Sequence, residues 1–223
     1  MKFRHEVKHS ISYSDYLILR SRLRAVMKPD ENSSDGIYEI RSLYFDNIYD
    51  KALKEKIDGI GIREKFRIRF YNGDTSFIRL EKKSKYGGLC NKQSVPVTED
   101  EVKDILLGKT DFMLDRERPL LAELYSKMSC EGLMPKTIVD YTREAFIFEA
   151  GNVRVTLDRN IRTGLFSYEL FDMENATVPV PNDPIILEVK WDEFLPGIIR
   201  DTVRIDGRRG AAFSKYASCR AYD

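Results

Sequence analysis

The sequence predicts an α+β fold dominated by antiparallel strands, closed into a barrel with its helices packed outside. Three observations predict it. Strand-length runs sort polar from apolar residues by parity, hairpin chemistry joins neighbouring runs, and the polar parity carries a cation in strand after strand. The 223 residues suffice for one domain over 1–223, and no internal repeat or low-complexity linker divides them.

Residues 3–12 read as a strand, after which Ser14-Asp15 caps a helix in which Leu17, Leu19, Leu23 and Val26 give a mostly helical spacing; Pro29 ends it. A polar loop from Asp30 to Gly36 leads to a strand over 37–46, and Asp46-Asn47 opens a short helix carrying Ala52 and Leu53. Strands at 60–71, 75–84 and 92–97 form a meander, the first two joined by Asn72-Gly73-Asp74. Thr98 and Glu101 make a capping-box pattern for a helix through Leu107, and a second helix from Glu117 to Met128 turns Leu120, Leu121 and Leu124 inward. Strands at 136–149 and 153–162 flank Gly151-Asn152. A less regular stretch with Pro179, Pro181 and Pro184 precedes a last strand at 185–191.

Composition narrows the function classes. Hydrophobic residues at 42% and charged residues at 33% suit a soluble globular chain. With 37 basic against 36 acidic residues, the net charge of +1 gives no global pull toward nucleic acid or an anionic membrane. An anion site must come from local clustering. Cys90, Cys130 and Cys219 have neither disulfide-framework nor zinc spacing, which fits a reducing cytoplasm. The first residues lack an apolar signal core, and no run approaches the roughly 18 apolar residues of a membrane span. The expected location is therefore cytoplasmic, with docking onto a membrane-protein partner left open.

The parity sorting carries the chemistry. Lys65, Arg67 and Arg69 oppose Phe66, Ile68 and Phe70; Arg79, Glu81 and Lys83 oppose Ile78 and Leu80. Glu6 and Lys8 flank Val7, Arg154, Thr156 and Asp158 oppose Val153, Val155 and Leu157, and Glu188 and Lys190 oppose Leu187 and Val189. An ordinary sheet with one wet face alternates in the same way, but such a face mixes charge signs. Here Lys8, Lys65, Arg67, Arg69, Lys83, Arg143, Arg154 and Lys190 gather against only Glu6, Glu81, Asp158 and Glu188. Like charges in contact cost about 1 kcal/mol per pair even in water, and several times more in a partly dry cavity. A chain of phosphates offsets them, since Arg binds phosphate oxygens bidentately and Lys supplies a mobile point charge. The few carboxylates suit a divalent cation that bridges phosphate oxygens.

These residues lie in runs that resemble a known family. Glu6-Val7-Lys8, Ser42-Leu43-Tyr44-Phe45-Asp46, Lys65-Phe66-Arg67-Ile68-Arg69, Leu80-Glu81-Lys82-Lys83, Tyr141-Thr142-Arg143, Arg154-Val155-Thr156-Leu157-Asp158, Leu187-Glu188-Val189-Lys190 and Ser214-Lys215-Tyr216 are similar, in order, to the VTC domain. That domain is the catalytic part of the polyphosphate polymerase in the vacuolar transporter chaperone complex, within the CYTH or triphosphate tunnel metalloenzyme superfamily. The resemblance runs from about residue 3 to 220 and implies an eight-stranded antiparallel tunnel, ATP as phosphoryl donor, polyphosphate as acceptor, and Mn2+ or Mg2+ as cofactor.

By motif, the resemblance implies that Arg67, Arg69, Lys83, Arg143, Arg154 and Lys215 act on the transferring group. Lys8, Lys65, Lys92, Tyr141, Lys190 and Ser214 would bind substrate, and Glu188 with Glu6 would hold metal. Asp158 could instead hold a neighbouring arginine. The superfamily usually opens with two glutamates before the lysine; here Arg4 stands at the first of those positions, leaving fewer carboxylates for metal. The eukaryotic polymerases also carry an inositol-phosphate sensing domain and a membrane anchor, neither of which is in this sequence.

Two other readings use the same site: hydrolysis of triphosphate or a nucleoside triphosphate, and metal-independent binding of polyphosphate or an inositol phosphate without turnover. Other residues read as structural. His5 and His9 fall on the Val7 side of their strand, Cys219 reads as a buried inert thiol, and Trp191 as packing against a covering helix. Arg208-Arg209 read as a solvated turn, and the acidic helix at Glu99 to Asp104 as lying outside.

Overall fold

The computed structural model describes residues 4–31, 36–205, 207, 210 and 212–222. The chain runs β1 (His5–Ile11), α1 (Tyr13–Val26), β2 (Lys28–Pro29), β3 (Ile37–Asp46), α2 (Lys51–Ile57), β4 (Ile62–Tyr71), β5 (Asp74–Tyr86), β6 (Leu89–Val97) and α3 (Glu99–Leu106). It continues through α4 (Pro119–Glu131), β7 (Met134–Phe148), β8 (Val153–Thr163), β9 (Val178–Pro179), β10 (Ile185–Trp191), α5 (Gly197–Thr202) and α6 (Lys215–Cys219).

Local chemistry sets the boundaries. Ser12, two residues earlier than expected, caps α1: its hydroxyl accepts from the Asp15 amide at 3.1 Å, and the Asp15 carboxylate accepts from the Ser12 amide at 3.0 Å. The buried stripe of α1 is Tyr16, Leu19 and Leu23, at spacings of three and four, and Leu17 is exposed. Asn72 and Gly73 both take positive φ, as a two-residue hairpin turn requires. Gly87 and Gly88 do the same, a second tight hairpin that carries β5 to Tyr86 and starts β6 at Leu89, past the ends read from sequence. Thr98 and Glu101 form the expected capping box of α3.

The strands form one ten-stranded antiparallel sheet in the order β1-β10-β8-β7-β3-β4-β5-β6, with β2 added on β7 and β9 on β8. The expected closed barrel needs correction at this point. Between the end strands β1 and β6 no continuous ladder forms among the described residues. An isolated bridge from Arg4 to Cys90 and an ion pair from Glu6 to Lys83 at 2.8 Å bring the ends together. The bridge lies at the N-terminal end of β1, and beyond it side chains, Glu6 reaching across to Lys83 of β5, carry the seam in place of a backbone ladder.

Apolar residues face outward, under the helices. Phe66, Ile68, Phe70, Ile78 and Leu80 pack with Val102 and Ile105 of α3 and Leu120, Leu121 and Leu124 of α4. Leu157, Leu187 and Val189 pack with Leu19 and Leu23 of α1 and Ile199 of α5. Trp191 joins this second cluster, and the His5 ring stacks on it at 5.3 Å. With the outer face dry, the polar parity has nowhere to point but into the curl of the sheet. No helix among the described residues is long and apolar enough to cross a membrane.

Candidate functional site

Strand register assembles the inner face from distant parts of the chain. Glu6 lies opposite Lys190, and Lys8 opposite Glu188. Glu188 has Thr156 on its other side, and Asp158 lies opposite Arg143. Ser42 meets Arg69 and Tyr44 meets Arg67 across β3 and β4. Lys65 lies opposite Lys83, which in turn faces Lys92. At one end of the curl an apolar cluster including Val139, Ile161, Ile186 and Tyr216 fills the interior. Asp46 fixes this end: its carboxylate accepts from the Tyr216 hydroxyl at 2.7 Å and from the amides of Ala52 and Leu53 at the start of α2.

Four carboxylates organise the cations. Glu81 accepts from Arg67 at 2.6 Å and Lys92 at 2.8 Å. Asp158 takes both ends of the Arg143 guanidinium and also Lys215. Glu188 lies 3.0 Å from Lys190 and 3.4 Å from Arg143, and Glu6 lies 2.8 Å from Lys83 and 3.3 Å from Lys8. Two tyrosines form apolar floors for the rest. Arg67 and Lys65 sit over Tyr44, and Arg69, Arg143 and Lys215 over Tyr141, whose hydroxyl accepts from Arg69 at 2.8 Å.

The electrostatics record a cationic surplus. Burial alone would raise the Glu81 and Glu188 carboxyls, yet Arg67 and Arg69 around the first, and Lys190 and Lys8 around the second, hold both below the usual range. Burial would likewise raise the Tyr44 phenol, but Arg67, Lys65 and Arg69 bring it down to about 7. Lys65 is pulled down to about 8 by burial, helped by Lys83, Lys8 and Arg67 against the pull of Tyr44. Lys190 falls to about 8 chiefly through burial, with Glu188 opposing. Among the described residues no carboxylate pairs with Lys65; its ammonium donates to the Ser214 hydroxyl at 3.3 Å.

The sequence-selected residues Glu6, Lys8, Lys65, Arg67, Arg69, Lys83, Lys92, Tyr141, Arg143, Glu188, Lys190, Ser214 and Lys215 therefore meet on or against one inner face. Arg154 differs: it lies opposite Lys190, but its guanidinium is held by Asp30 at 2.6 Å, a partner outside every strand motif. Arg4 sits at the seam, 2.8 Å from Asp192. Tyr44 is an inner residue to which the sequence reading assigned no role, and Glu81, counted there among the carboxylates suited to a divalent cation, instead holds Arg67 and Lys92. Parity placed Glu81 there, and its position among arginines was the signal available. Cys219 is buried, and burial pushes its thiol up to about 12. Arg208-Arg209 lie outside the described residues. No cluster of three or more His, Cys, Asp or Glu gathers among the described residues as a metal cage. Burial and the nearby Glu188 both oppose ionisation of Glu6, yet Lys83, Lys8 and Lys190 hold its carboxyl below its ordinary value.

Solved structures share this architecture. A Hippeastrum protein provisionally assigned as an adenylyl cyclase and described as having a dominant triphosphatase activity superposes with a TM-score of 0.59 at 13% identity, covering 100% of this chain and 96% of its own. A Bacillus halodurans protein provisionally assigned as an adenylate cyclase gives 0.50 at 18% identity, over 85% of this chain and 80% of its own. At these identities the likeness is one of fold. No curated protein matches the sequence. The VTC domain pattern matches residues 3–222, nearly the whole chain, so this protein belongs to the VTC domain family.

Proposed function

We propose that this protein is a polyphosphate polymerase that moves the γ-phosphoryl group of ATP onto the end of a polyphosphate chain, inside a tunnel formed by the curled sheet. One observation carries the reading: Lys65 and Lys83 are held opposite each other beside Lys8, with Lys65 short of any carboxylate among the described residues. That arrangement is unfavourable until a polyanion enters.

Phosphoryl transfer asks the protein mainly for positioning and charge stabilisation. In this reading Lys8, Lys65, Lys92 and Lys190, with the hydroxyls of Tyr141 and Ser214, hold the triphosphate and the acceptor. Arg67, Arg69, Lys83, Arg143 and Lys215 meet the charge that spreads over the transferring group, while Arg154 stays engaged by Asp30. A terminal acceptor oxygen bonds to Pγ while the bond from Pγ to the β,γ-bridging oxygen breaks, and ADP leaves with that electron pair. Glu81 and Asp158 keep the arginines aimed, since each is already engaged by two cations. Glu188 and Glu6 fit Mg2+ or Mn2+, because such ions often take one or two carboxylates and complete their shell with phosphate oxygens and water. When bound, the ion would neutralise charge on the bridging phosphates.

Incubation with ATP and Mn2+ or Mg2+ should yield ADP and a ladder of phosphate polymers on a gel, and Arg67→Ala should abolish the ladder. Free phosphate without polymer would replace this reading with triphosphate hydrolysis. An intact ATP pool with either metal would reject both.

A further inference from the structure

The cationic register does not stop at Lys65 and Lys83. One step further along the same face, Arg63 lies directly opposite Lys85. Two successive like-charged cross-strand pairs are unfavourable in a sheet, where opposite charges are the stabilising choice. Lys56 of α2 stands beside them, its ammonium pulled down first by burial and then by Arg63, Lys85 and Lys8. Among the described residues none of Lys56, Arg63 and Lys85 has a carboxylate partner; the Arg63 guanidinium donates to the Ile60 carbonyl. Asp46 holds the start of α2 through the amides of Ala52 and Leu53, which fixes the helix that carries Lys56.

Space connects these cations to the inner face. A cavity of about 150 Å3 is lined by Lys8, Lys65 and Lys83 together with Lys56, Arg63 and Lys85; the two carboxylates in its wall, Glu6 and Glu64, are already engaged by Lys83 and by Lys82 and Lys127. A wider depression of about 720 Å3 continues from it, sharing Lys56, Arg63, Lys85 and Ser214. Its floor near Gly59, Gly61 and Gly88 carries no side chains that would fill it, since a Cβ added at any of the three meets nothing within 4 Å.

We infer that Lys56, Arg63 and Lys85 form a separate polyphosphate subsite at this mouth, gripping phosphate units of the chain that lie beyond the transfer centre. The inference deepens the polymerase reading and rests on it for the identity of the chain. Its consequence is length discrimination. On this inference a three-phosphate ligand is held mainly by the inner lysines, whereas a long chain also engages the mouth.

The test compares binding of tripolyphosphate and of polyphosphate with several tens of units to the full chain, by calorimetry at fixed salt. In Lys56→Ala/Lys85→Ala the long chain should lose about tenfold or more in affinity, the scale of one or two lost charge-assisted contacts, and tripolyphosphate under about twofold. Lys56→Glu/Lys85→Glu should widen that gap further. Because these side chains carry no ion pair, thermal unfolding should show both variants folded. An unchanged ratio of the two affinities, or an equal loss for both ligands, overturns the inference. If the unaltered protein makes no polymer from ATP yet prefers long chains through these residues, the polymerase reading falls and the mouth subsite stands.

Discussion

The hairpin of β4 and β5 carries charge on both faces, and the two faces settle it differently. On the outer face Lys82 reaches Glu64 at 2.9 Å and also bonds Glu123, while Lys127 of α4 closes the set on Glu64 and Glu131 at 2.8 and 2.6 Å. On the inner face Lys65 finds a hydroxyl and a tyrosine ring, and its cross-strand neighbour is another lysine. The same backbone could have hosted complementary pairs on both sides. Unmatched cations on one side alone mark that side as the one completed by something outside the chain.

Glu81 offers the strongest way to break the contrast, because it is the inner carboxylate of this hairpin. Glu81→Ala leaves Arg67 and Arg69 side by side with hydroxyl acceptors but no carboxylate, and should cost about 3–5 kcal/mol in denaturant unfolding. A loss under about 1 kcal/mol would mean that water already screens the inner face.

Lys65→Met keeps the bulk and deletes the charge. It should weaken tripolyphosphate about tenfold and stabilise the anion-free protein by about 1 kcal/mol, since a buried charge without a partner is unfavourable. Weaker binding without a gain in stability would show that Lys65 sits at ease in the empty site.

Titration sharpens the same point. Lys65 loses its proton near about 8 in the folded protein against an ordinary 10.5, and Tyr44 near about 7 against 10.0. Between the folded and ordinary values the unfolded chain binds more protons, so the stability of the anion-free protein should rise with pH from about 7 to about 10. A bound polyanion favours the ammonium, so affinity for tripolyphosphate should fall over pH 7 to 9 relative to Lys65→Met, a comparison that cancels the ligand's own titration. Parallel curves for the two proteins would remove Lys65 from the site.

Much of this was legible before any coordinates. Period-two sorting in 64–71 and 78–83 fixed which residues share a face, and the Asn72-Gly73 and Thr98-Glu101 signals fixed a turn and a cap, because each is a local rule. The strand at 37–46 and the last strand at 185–191 fell where expected. What stayed hidden is long-range. Nothing near Arg154 in sequence points to Asp30, and nothing in Ser214-Lys215-Tyr216 shows a helix anchored on Asp46 and reaching Asp158. The open seam between β1 and β6 was equally invisible, since parity reports faces and not edges. Leu17 broke the spacing from the start: two residues from Leu19 it stands on the opposite side of a helix, and it is exposed while Leu19 and Leu23 are buried.

The smallest effect belongs to the outer face, and it is the control on which the contrast depends. Lys82 is engaged by two carboxylates that solvent partly reaches, so Lys82→Ala should cost under about 1 kcal/mol and leave tripolyphosphate affinity unchanged. It stands one residue from Lys83 and bears the same charge, so a generic attraction between basic strands and phosphate would weaken binding in both variants. If Lys82→Ala lowers affinity as much as Lys83→Ala, facing is irrelevant and the anion is held by diffuse charge. If only Lys83→Ala does, the side of the sheet decides, and the alternation read along β5 is the determinant of binding.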